Sequence, residues 1–483
     1  MSRIIIRNGQ VISPWQKIQA DVLIDGETIA GITAPGAVTW DDAREIDATG
    51  CYVFPGVIDV HTHIQLDTGV YKTDDNWEIG TKSAAYGGVT TVVDFATQFK
   101  GQTFEQALNH RLEECKPAYI DYGLHMMVTD LSRDPAKAAQ DLAALRDMGV
   151  PSIKLYTTYK PNYYADDATI LHTLRAMPSD MLAMFHCEND DIVADATRRL
   201  VEEGKIGWRY HGESRPAIAE KEAAVRIINL LPPEKHAYIV HCSSQQTAFA
   251  LEHYLRLHIF SSSFYFETCI QYLVLDVQNY EGSHPEHFIL QPPLREFRKE
   301  RINYDLLSLY GKRVISVLST DHCDYSLAKK QAKNDFRVTA GGLPGLETLL
   351  PLSYTLFSDQ YEEEHLVYFE SDPLMHLVEV LCANPAKLFG LYPKKGILAA
   401  GSDADVVIYD PAPQVVIKQE NLHTIGGYTP YEGMTVQGKV RTTISRGRIL
   451  VHEGKFFGEQ GHGQFIKGAP FKPSESRSEK RIY

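Results

Sequence analysis

The feature that most constrains this chain is a set of five apolar runs that each lead into a residue able to bind a metal ion. The first run, residues 57–60, stops at His61, and His63 follows two positions later. Because side chains at positions i and i+2 of an extended strand lie on the same face, both imidazoles can reach one ion. The other runs lead into Lys154, His186, His241 and, just after residues 314–318, Asp321.

Between residues 53 and 393, apolar strand-like runs alternate with helical patterns, which predicts repeated βα units and a parallel sheet. One helix is well marked, because Asp134 can cap it, Pro135 suits its first position and Gly149 can end it. In a (β/α)8 barrel the carboxyl ends of the strands converge on one face, where active sites lie. The sequence therefore predicts a TIM-like barrel with a metal centre at that face.

The two ends of the chain have strand-like patterns without the alternating helices. Residues 1–52 read as short strands, and the dipeptides Asn8-Gly9 and Asp25-Gly26 predict hairpin turns. Residues 394–460 again contain strand-like apolar runs, at 404–408 and at 443–451. We therefore predict a small β-sandwich formed by both termini, with the barrel (residues 53–393) inserted into it. Residues 461–483 are polar, and we expect a tail that is mobile or lies against a partner.

The composition of the chain indicates which classes of partner and which cellular compartment to expect. The chain has 483 residues and a formal net charge of −14, which argues against nucleic acid or an anionic membrane as its main partner. We see neither an apolar run long enough to span a bilayer nor the apolar region of a signal peptide. The seven cysteines lack paired spacing, a pattern typical of a reduced compartment, so we expect a cytoplasmic protein.

The predicted ligands indicate which metal chemistry to expect. Nitrogen and oxygen donors without thiolate suit zinc, and they tolerate manganese, cobalt or iron. Lys154 is unusual, since a buried lysine beside metal ions has a lowered pKa. Its neutral amine could take up carbon dioxide to form a carbamate, an anion with two oxygens that can bridge two ions. A salt-bridged lysine stays the alternative, as does barrel packing for His186 or His241 taken singly.

The chain resembles the cyclic amidohydrolases, and among them the dihydropyrimidinase and hydantoinase branch. The resemblance rests on a colinear set of segments that spans nearly the whole chain. These are residues 54–63 (FPGVIDVHTH), 87–98 (GGVTTVVDFATQ), 154–160 (KLYTTYK), 213–216 (ESRP), 292–295 (PPLR), 320–323 (TDHC), 401–405 (GSDAD) and 431–434 (YEGM).

The resemblance implies two divalent metal ions, usually zinc, bridged by a carboxylated lysine at Lys154. Carried over by position, His61, His63 and Asp321 bind the first ion, and His186 and His241 bind the second. Tyr159 matches the tyrosine that polarises the substrate carbonyl. The resemblance also implies a homotetramer, with a homodimer as the alternative.

The implied reaction is the opening of a cyclic amide in dihydropyrimidines or 5-substituted hydantoins by a metal-bridging hydroxide. Metal ions can lower the pKa of water to about 7, and Asp321 could carry the proton from that water to the leaving nitrogen. The Tyr159 hydroxyl would help to stabilise the oxyanion. We predict that Tyr159, Gln291 and Gly341 contact the cyclic ureide, and that loops 64–71 and 156–164 surround its ring substituent.

Two departures from the branch leave the substrate open. Gln291 stands where a serine is usual, and Gly341 stands where an asparagine is usual. Residues 345–348 look more like dihydroorotases or allantoinases, so an allantoinase is the nearest enzymatic alternative. The other class of alternative is a non-catalytic scaffold, because collapsin-response mediator proteins share the fold but have lost metal ligands. All six ligand positions are present here, which favours an enzyme.

Overall fold

The computed structural model describes residues 3–69, 71–257, 263–296, 314–358 and 372–473, together with Asn303, Leu306 and Leu309. Its strands are β1 (Arg3–Ile12), β2 (Lys17–Asp25), β3 (Thr28–Thr33), β4 (Ala43–Asp47), β5 (Tyr52–Pro55), β6 (Val57–Thr62), β7 (Val89–Thr97), β8 (Asp121–Met127), β9 (Ser152–Tyr156), β10 (Leu182–His186), β11 (His236–Ile239), β12 (Phe264–Cys269), β13 (Val317–Ser319), β14 (Val406–Val416), β15 (Thr435–Ser445), β16 (Arg448–His452) and β17 (Lys455–Phe456).

The helices follow the barrel strands and surround them. They are α1 (Trp77–Tyr86), α2 (Phe104–Cys115), α3 (Pro135–Asp147), α4 (Asp167–Ala176), α5 (Asp190–Glu202), α6 (His211–Ser214), α7 (Ala217–Leu230), α8 (Gln245–Leu257), α9 (Gln271–Val274), α10 (Leu327–Lys330), α11 (Leu349–Phe357), α12 (Pro373–Val378) and α13 (Asn384–Leu388). Short 3-10 turns lie at Trp208–Tyr210, Val277–Glu281, Pro285–Phe288 and Gln419–Asn421, and a π-helical turn at Glu379–Ala383 joins α12 to α13.

Strands β6 to β13 form an eight-stranded parallel sheet in sequence order, as the alternation of apolar runs and helices predicts. The sheet closes on itself between β6 and the segment that follows β13. Thr62 pairs with His322, and the Thr320 hydroxyl donates to Asp59 at 2.5 Å. The (β/α)8 barrel is therefore confirmed, and its interior is filled by apolar side chains such as Phe95, Met184 and Tyr238.

The ends of the chain form a second sheet of nine strands, in the order β17-β16-β15-β14-β5-β1-β2-β3, with β4 also paired to β1. Strands from before and after the barrel meet where β5 pairs antiparallel with β14. The barrel is thus inserted into a β layer built by both termini, as predicted. The domain boundaries at residues 52, 393 and 460 stay predictions, because strand pairing does not define where a folding unit ends.

The predicted ends of helix α3 and one of the two predicted hairpin turns are confirmed, whereas the other turn is wrong. Asp134 caps α3 through the Ala136 amide, and Gly149 follows the helix with φ +95°. Asp25 ends β2 and Gly26 turns into β3, as expected. However, Asn8-Gly9 makes no hairpin: β1 runs through both residues, with a bulge at residues 7–8 and Gly9 paired to Ala20 of β2. The strand continues because the residues on both sides of the bulge pair with the same partner strand.

The C-terminal segment also differs from the expected tail. Residues 461–473 pack against their own barrel: Gln464 and Ile466 bond to the backbone of Tyr122, and Phe471 is buried. The remaining part of the predicted tail, residues 474–483, lies outside the described residues. None of the helices in the described part of the chain has the length and apolar composition that a bilayer crossing requires.

Candidate metal centre and active site

The predicted ligands come together at the carboxyl end of the barrel. His61 and His186 lie in the last two residues of β6 and β10, and Lys154 lies in the middle of β9. His241 and Asp321 lie just past β11 and β13. Together with His63 they line one cavity of about 550 Å³. The imidazoles and Lys154 are all buried. The strand ends of a parallel barrel must meet at one face, which is why so scattered a set of residues can share a site.

Within the cavity the side chains form two adjacent groups. Asp321 Oδ1 lies 3.2 Å from His61 Nε2 and 3.2 Å from His63 Nε2. In the second group, His186 Nδ1 lies 2.8 Å from His241 Nε2. One ligand atom each from His61, His241 and Asp321 lies within 4.8 Å of the others, so the two groups adjoin. The structure therefore brings together all six residues predicted to bind metal.

The backbone is strained where it turns the site residues into the cavity. Tyr159, His241 and Asp321 have φ angles of +74°, +37° and +52°, the left-handed region that side chains other than glycine rarely adopt. Such strain costs about 1–3 kcal/mol per residue and concentrates at functional sites. Each of these residues leaves the end of a strand, and the turn directs its side chain over the barrel mouth.

Two buried glutamates fix which ring nitrogen of a histidine faces the cavity. Glu267 Oε1 accepts a bond from His61 Nδ1 at 2.6 Å, which leaves the Nε2 lone pair free. Glu188 Oε2 lies 2.8 Å from His186 Nε2, which leaves the Nδ1 lone pair of His186 directed at His241 Nε2. Metal-binding histidines commonly hold their second nitrogen to a carboxylate in this manner.

The protonation states suit cation binding. Burial lowers the pKa of His61, His186 and His241, so these imidazoles are neutral. Burial would raise the pKa of Asp321, but the neighbouring His61, His63 and Lys154 lower it below its usual value. The Nε2 atom of His61 is buried and lacks a hydrogen-bond partner among the described residues. Two neutral imidazole nitrogens 2.8 Å apart must share a proton or a cation, so the residues present fit a metal centre.

Lys154 has the environment that a carbamate would need. Its side chain is 1% exposed, and burial lowers its pKa from 10.5 to about 8. Its Nζ lies 5.2 Å from the ring centroid of Phe95, with His61, His63, His186 and His241 lining the same cavity. The amine is therefore neutral more often near neutral pH than that of an ordinary lysine, and the neutral form is the one that reacts with carbon dioxide.

Tyr159 lies over the second group of ligands. Its ring centroid is 5.0 Å from that of His186, and the Arg215 guanidinium stacks on its other side at 5.4 Å. Arg215 is in turn held by Glu188. Burial raises the pKa of Tyr159 above its ordinary value, so the hydroxyl keeps its proton. Among the described residues this hydroxyl has no hydrogen-bond partner, and it is available to a ligand.

The walls of the cavity come from the two loops expected to surround a ring substituent. Leu66, Thr68 and Tyr71 line it from the loop after β6, and Tyr156, Lys160, Asn162 and Tyr163 line it from the loop after β9. The Tyr163 hydroxyl donates to Thr68 O at 2.9 Å and joins the two loops. Gln291 and Gly341, the predicted substrate contacts, also line the cavity.

The residues that orient the ligands were not predicted from the sequence. Glu188 follows His186 by two positions after a strand end, the same spacing as His61 and His63, and this could have singled it out. Glu267 lies inside β12, where a buried acidic residue in an apolar strand was the available signal. Arg215 belonged to a segment carrying the resemblance, but no role was inferred for it.

Comparison with known proteins gives a consistent result. A sequence profile of the amidohydrolase family matches residues 52–450. The chain is 36% identical to D-phenylhydantoinase from Escherichia coli O81 (strain ED1a), over 98% of this chain and 99% of that protein. Its structure is similar to dihydropyrimidinase from Brevibacillus agri NCHU1002, with a TM-score of 0.89, 34% identity and coverage of 98% and 100%. An L-hydantoinase (dihydropyrimidinase) from Arthrobacter aurescens matches with a TM-score of 0.83, 25% identity and coverage of 97% and 100%.

Proposed function

Because this chain belongs to the amidohydrolase family, we propose that it opens the ring of 5-substituted hydantoins or dihydropyrimidines by hydrolysis of a cyclic amide bond. The expectation of a metal-dependent cyclic amidohydrolase is confirmed by the family profile and by relatives that match over their full length. The single observation that carries the proposal is the convergence of four histidines, a buried lysine and an aspartate on one cavity.

We infer that two divalent cations, most simply zinc, bind in this cavity. His61, His63 and Asp321 would hold one, His186 and His241 the other, and Lys154 as a carbamate would join them. When bound, the cations supply Lewis acidity and lower the pKa of water to about 7. Glu267 and Glu188 support this assignment, since each holds a histidine in the tautomer that presents a lone pair to the cavity.

The chain's own residues would supply the proton transfers. Asp321 is ionised and lies at the centre of the site, so it can accept a proton from the attacking water and deliver it to the leaving nitrogen. The Tyr159 hydroxyl, which stays protonated, can donate to the carbonyl oxygen as negative charge develops there. The histidines and Lys154 at the base of the cavity are buried, and low solvent exposure there strengthens electrostatic interactions.

The two alternative functions have less support. The allantoinase-like segment, residues 345–348, is not part of the cavity lining. Glu347 instead binds His423 through its backbone amide at 2.7 Å and its ring at 2.9 Å. That segment therefore connects the barrel to the C-terminal strands. A scaffold role has no support either, since every predicted ligand is in place and relatives over the full length are named as enzymes.

Two further features remain proposals. We propose a homotetramer or homodimer, and the exposed apolar side chains of Trp15, Ile425 and Phe457 are candidates for its interfaces. Light scattering after size-exclusion chromatography would give the number of chains. We propose a cytoplasmic location, because the seven cysteines all lie in the described part of the chain and are all free and buried.

The test is ring opening by zinc-loaded protein, with dihydrouracil, a 5-aryl hydantoin and allantoin measured side by side. We expect dihydrouracil or the hydantoin to react fastest, and Asp321→Asn to lose turnover by orders of magnitude while remaining folded. Preference for allantoin would overturn the substrate proposal. Near-normal turnover of Asp321→Asn would remove Asp321 from proton transfer.

A further inference from the structure

Gln291 and Gly341 occupy one wall of the cavity, and each excludes a larger partner at the other position. A Cβ atom added to Gly341 would lie 1.9 Å from Oε1 and 2.4 Å from Nε2 of Gln291. The backbone does not require glycine here, because Gly341 is not among the residues with positive φ. Glycine leaves this space to the Gln291 carboxamide, which would have to move if a side chain stood at position 341.

The backbone on both sides of this contact is held in place, so the two residues cannot easily separate. Gly342 N donates to Ile289 O at 3.0 Å. The buried ammonium of Lys330 donates to Ile289 O at 2.7 Å and to Gly342 O at 2.6 Å. Leu290 O is bonded to His211 Nε2 at 2.7 Å. The backbone segments that carry Gln291 and Gly341 are therefore held together by these bonds.

The carboxamide itself is available to a ligand. It lines the cavity, and in the described part of the chain neither its oxygen nor its nitrogen forms a hydrogen bond. A carboxamide is neutral and presents one acceptor beside two donor hydrogens. Its natural complement is a group that presents an N–H and a C=O side by side, and every ring amide does so because its N–H and C=O are held cis.

We propose that the Gln291 carboxamide binds the ring amide that is not cleaved, and that Gly341 is the residue that makes room for it. In a hydantoin or dihydropyrimidine this is the N1–H and C2=O edge. Gln291 Oε1 would accept from N1–H, and Nε2 would donate to the C2 oxygen. This inference rests on the proposed function, and it makes Gln291 a specificity-determining residue for neutral cyclic ureides.

The first experiment compares dihydrouracil with 1-methyl-dihydrouracil in the metal-loaded wild type, Gln291→Met and Gln291→Glu. Met keeps the length of the side chain without polar groups, whereas Glu replaces the donor with a charged acceptor. We expect Gln291→Met to raise KM for dihydrouracil about tenfold with a much smaller change in kcat, and Gln291→Glu to raise it further. The wild type should discriminate against the methylated ring about tenfold, and Gln291→Met should barely discriminate.

The second experiment tests the pairing of the two positions. Gly341→Ala should raise KM, because the new methyl group displaces the carboxamide. In a Gln291→Ser background the same substitution should have almost no further effect, since the space is then empty. Gly31→Ala is the matched control, because a Cβ there meets no atom within 4 Å. Zinc content and the melting temperature of every variant report whether the site is still assembled.

The outcomes separate this inference from the proposed function. If the wild type opens no cyclic ureide, the proposed function fails. If the wild type opens the ring and Gln291→Met keeps its KM and its discrimination against the methylated ring, only the role of Gln291 is overturned. Equal effects of Gly341→Ala in the two backgrounds would overturn the pairing.

Discussion

A protonated Lys154 would place a positive charge among side chains that are arranged to bind metal cations. Its burial does not explain why a lysine stands at this position. Its pKa of about 8 means that the amine can lose its charge at little cost, and a carbamate would replace the positive charge with a negative one. The side chain forms no hydrogen bond within the described residues, so the modification would break none. This environment supports the proposal that Lys154 is the precursor of a metal ligand.

We predict that Lys154→Ala loses bound zinc and turnover together, because the carbamate is the proposed bridge between the two ions. Metal analysis per chain and a ring-opening assay measure the two losses. A short carboxylate such as propionate should restore part of both in Lys154→Ala, where the removed side chain leaves room. It should not do so in Lys154→Met, where the space is filled. An alanine variant that retains two ions per chain would contradict the carbamate.

Tyr159 leads to a prediction on pH dependence. Burial raises its pKa above the usual value of 10, so the hydroxyl keeps its proton at higher pH than a free tyrosine. The profile of kcat/KM should therefore show no alkaline limb from this group below pH 10. Tyr159→Phe should lower kcat by about 10²–10³. Tyr164→Phe, in the same loop but outside the cavity lining, is the control. Activity in the phenylalanine variant comparable to wild type would exclude the oxyanion role.

The residues that could be predicted from the sequence are those whose position follows from a strand end. His61, His186 and His241 were recognisable because an apolar run stops where each begins, and the barrel then brings them together. The partner of Glu267 and the contact between Gln291 and Gly341 could not be predicted. These depend on which side chains meet across the barrel, and no spacing along the chain encodes that distance.

The same limit applies to whole elements. Helix α3 was predictable because its cap, its first proline and its terminal glycine are all local signals. The bulge at residues 7–8 was not, because the dipeptide Asn8-Gly9 favours a turn wherever the strand has no longer-range partner. Here β2 pairs with both halves of β1, and the Asn8 amide is held by Asp21 at 2.8 Å. Tertiary pairing therefore overrode the local preference.

At the scale of elements, Lys330 joins the segment before Gln291 to the segment that contains Gly341. It ends the short helix α10, it is fully buried, and burial lowers its pKa from 10.5 to about 7. Because the folded-state pKa is depressed, its contribution to stability is present above the unfolded pKa and is lost as pH falls through 7. A neutral amine can still donate to both carbonyl groups.

We therefore predict that the unfolding free energy of the wild type, relative to Lys330→Met, increases between pH 7 and about pH 10.5. The slope should be at most about 1.4 kcal/mol per pH unit. Urea unfolding at pH 7, 8 and 9 measures it for the two metal-loaded proteins. The exposed Lys137→Met should show no such slope. A difference between wild type and Lys330→Met that is constant with pH would contradict the depressed pKa.

At the scale of the whole molecule, the barrel and the terminal sheet are joined by a buried cluster of charges. Lys395 Nζ lies 2.6 Å from Asp121, 2.9 Å from Asp403 and 2.6 Å from Asp405. Asp121 begins β8 of the barrel, whereas Asp405 directly precedes β14 of the sheet. Arg446, in the turn between β15 and β16, adds a second cation against Asp121. The three carboxylates surround an ammonium, so they are a structural joint and not a second metal site.

This joint leads to a prediction that separates stability from catalysis. Lys395→Met removes the central cation and leaves three buried carboxylates with less compensation, which should lower the unfolding free energy by about 3–5 kcal/mol. The double variant Lys395→Met/Asp405→Asn removes one of those charges and should recover part of the loss. Because Asp121 lies at the opposite end of β8 from the metal ligands' face, kcat and zinc content at 25 °C should stay near the wild-type values. Thermal unfolding of each variant tests the expected loss of stability, and ring-opening rates on the same samples test the expected retention of activity. A variant that melts like the wild type would contradict the joint, and one that is stable but inactive would show that the two ends of the barrel are coupled.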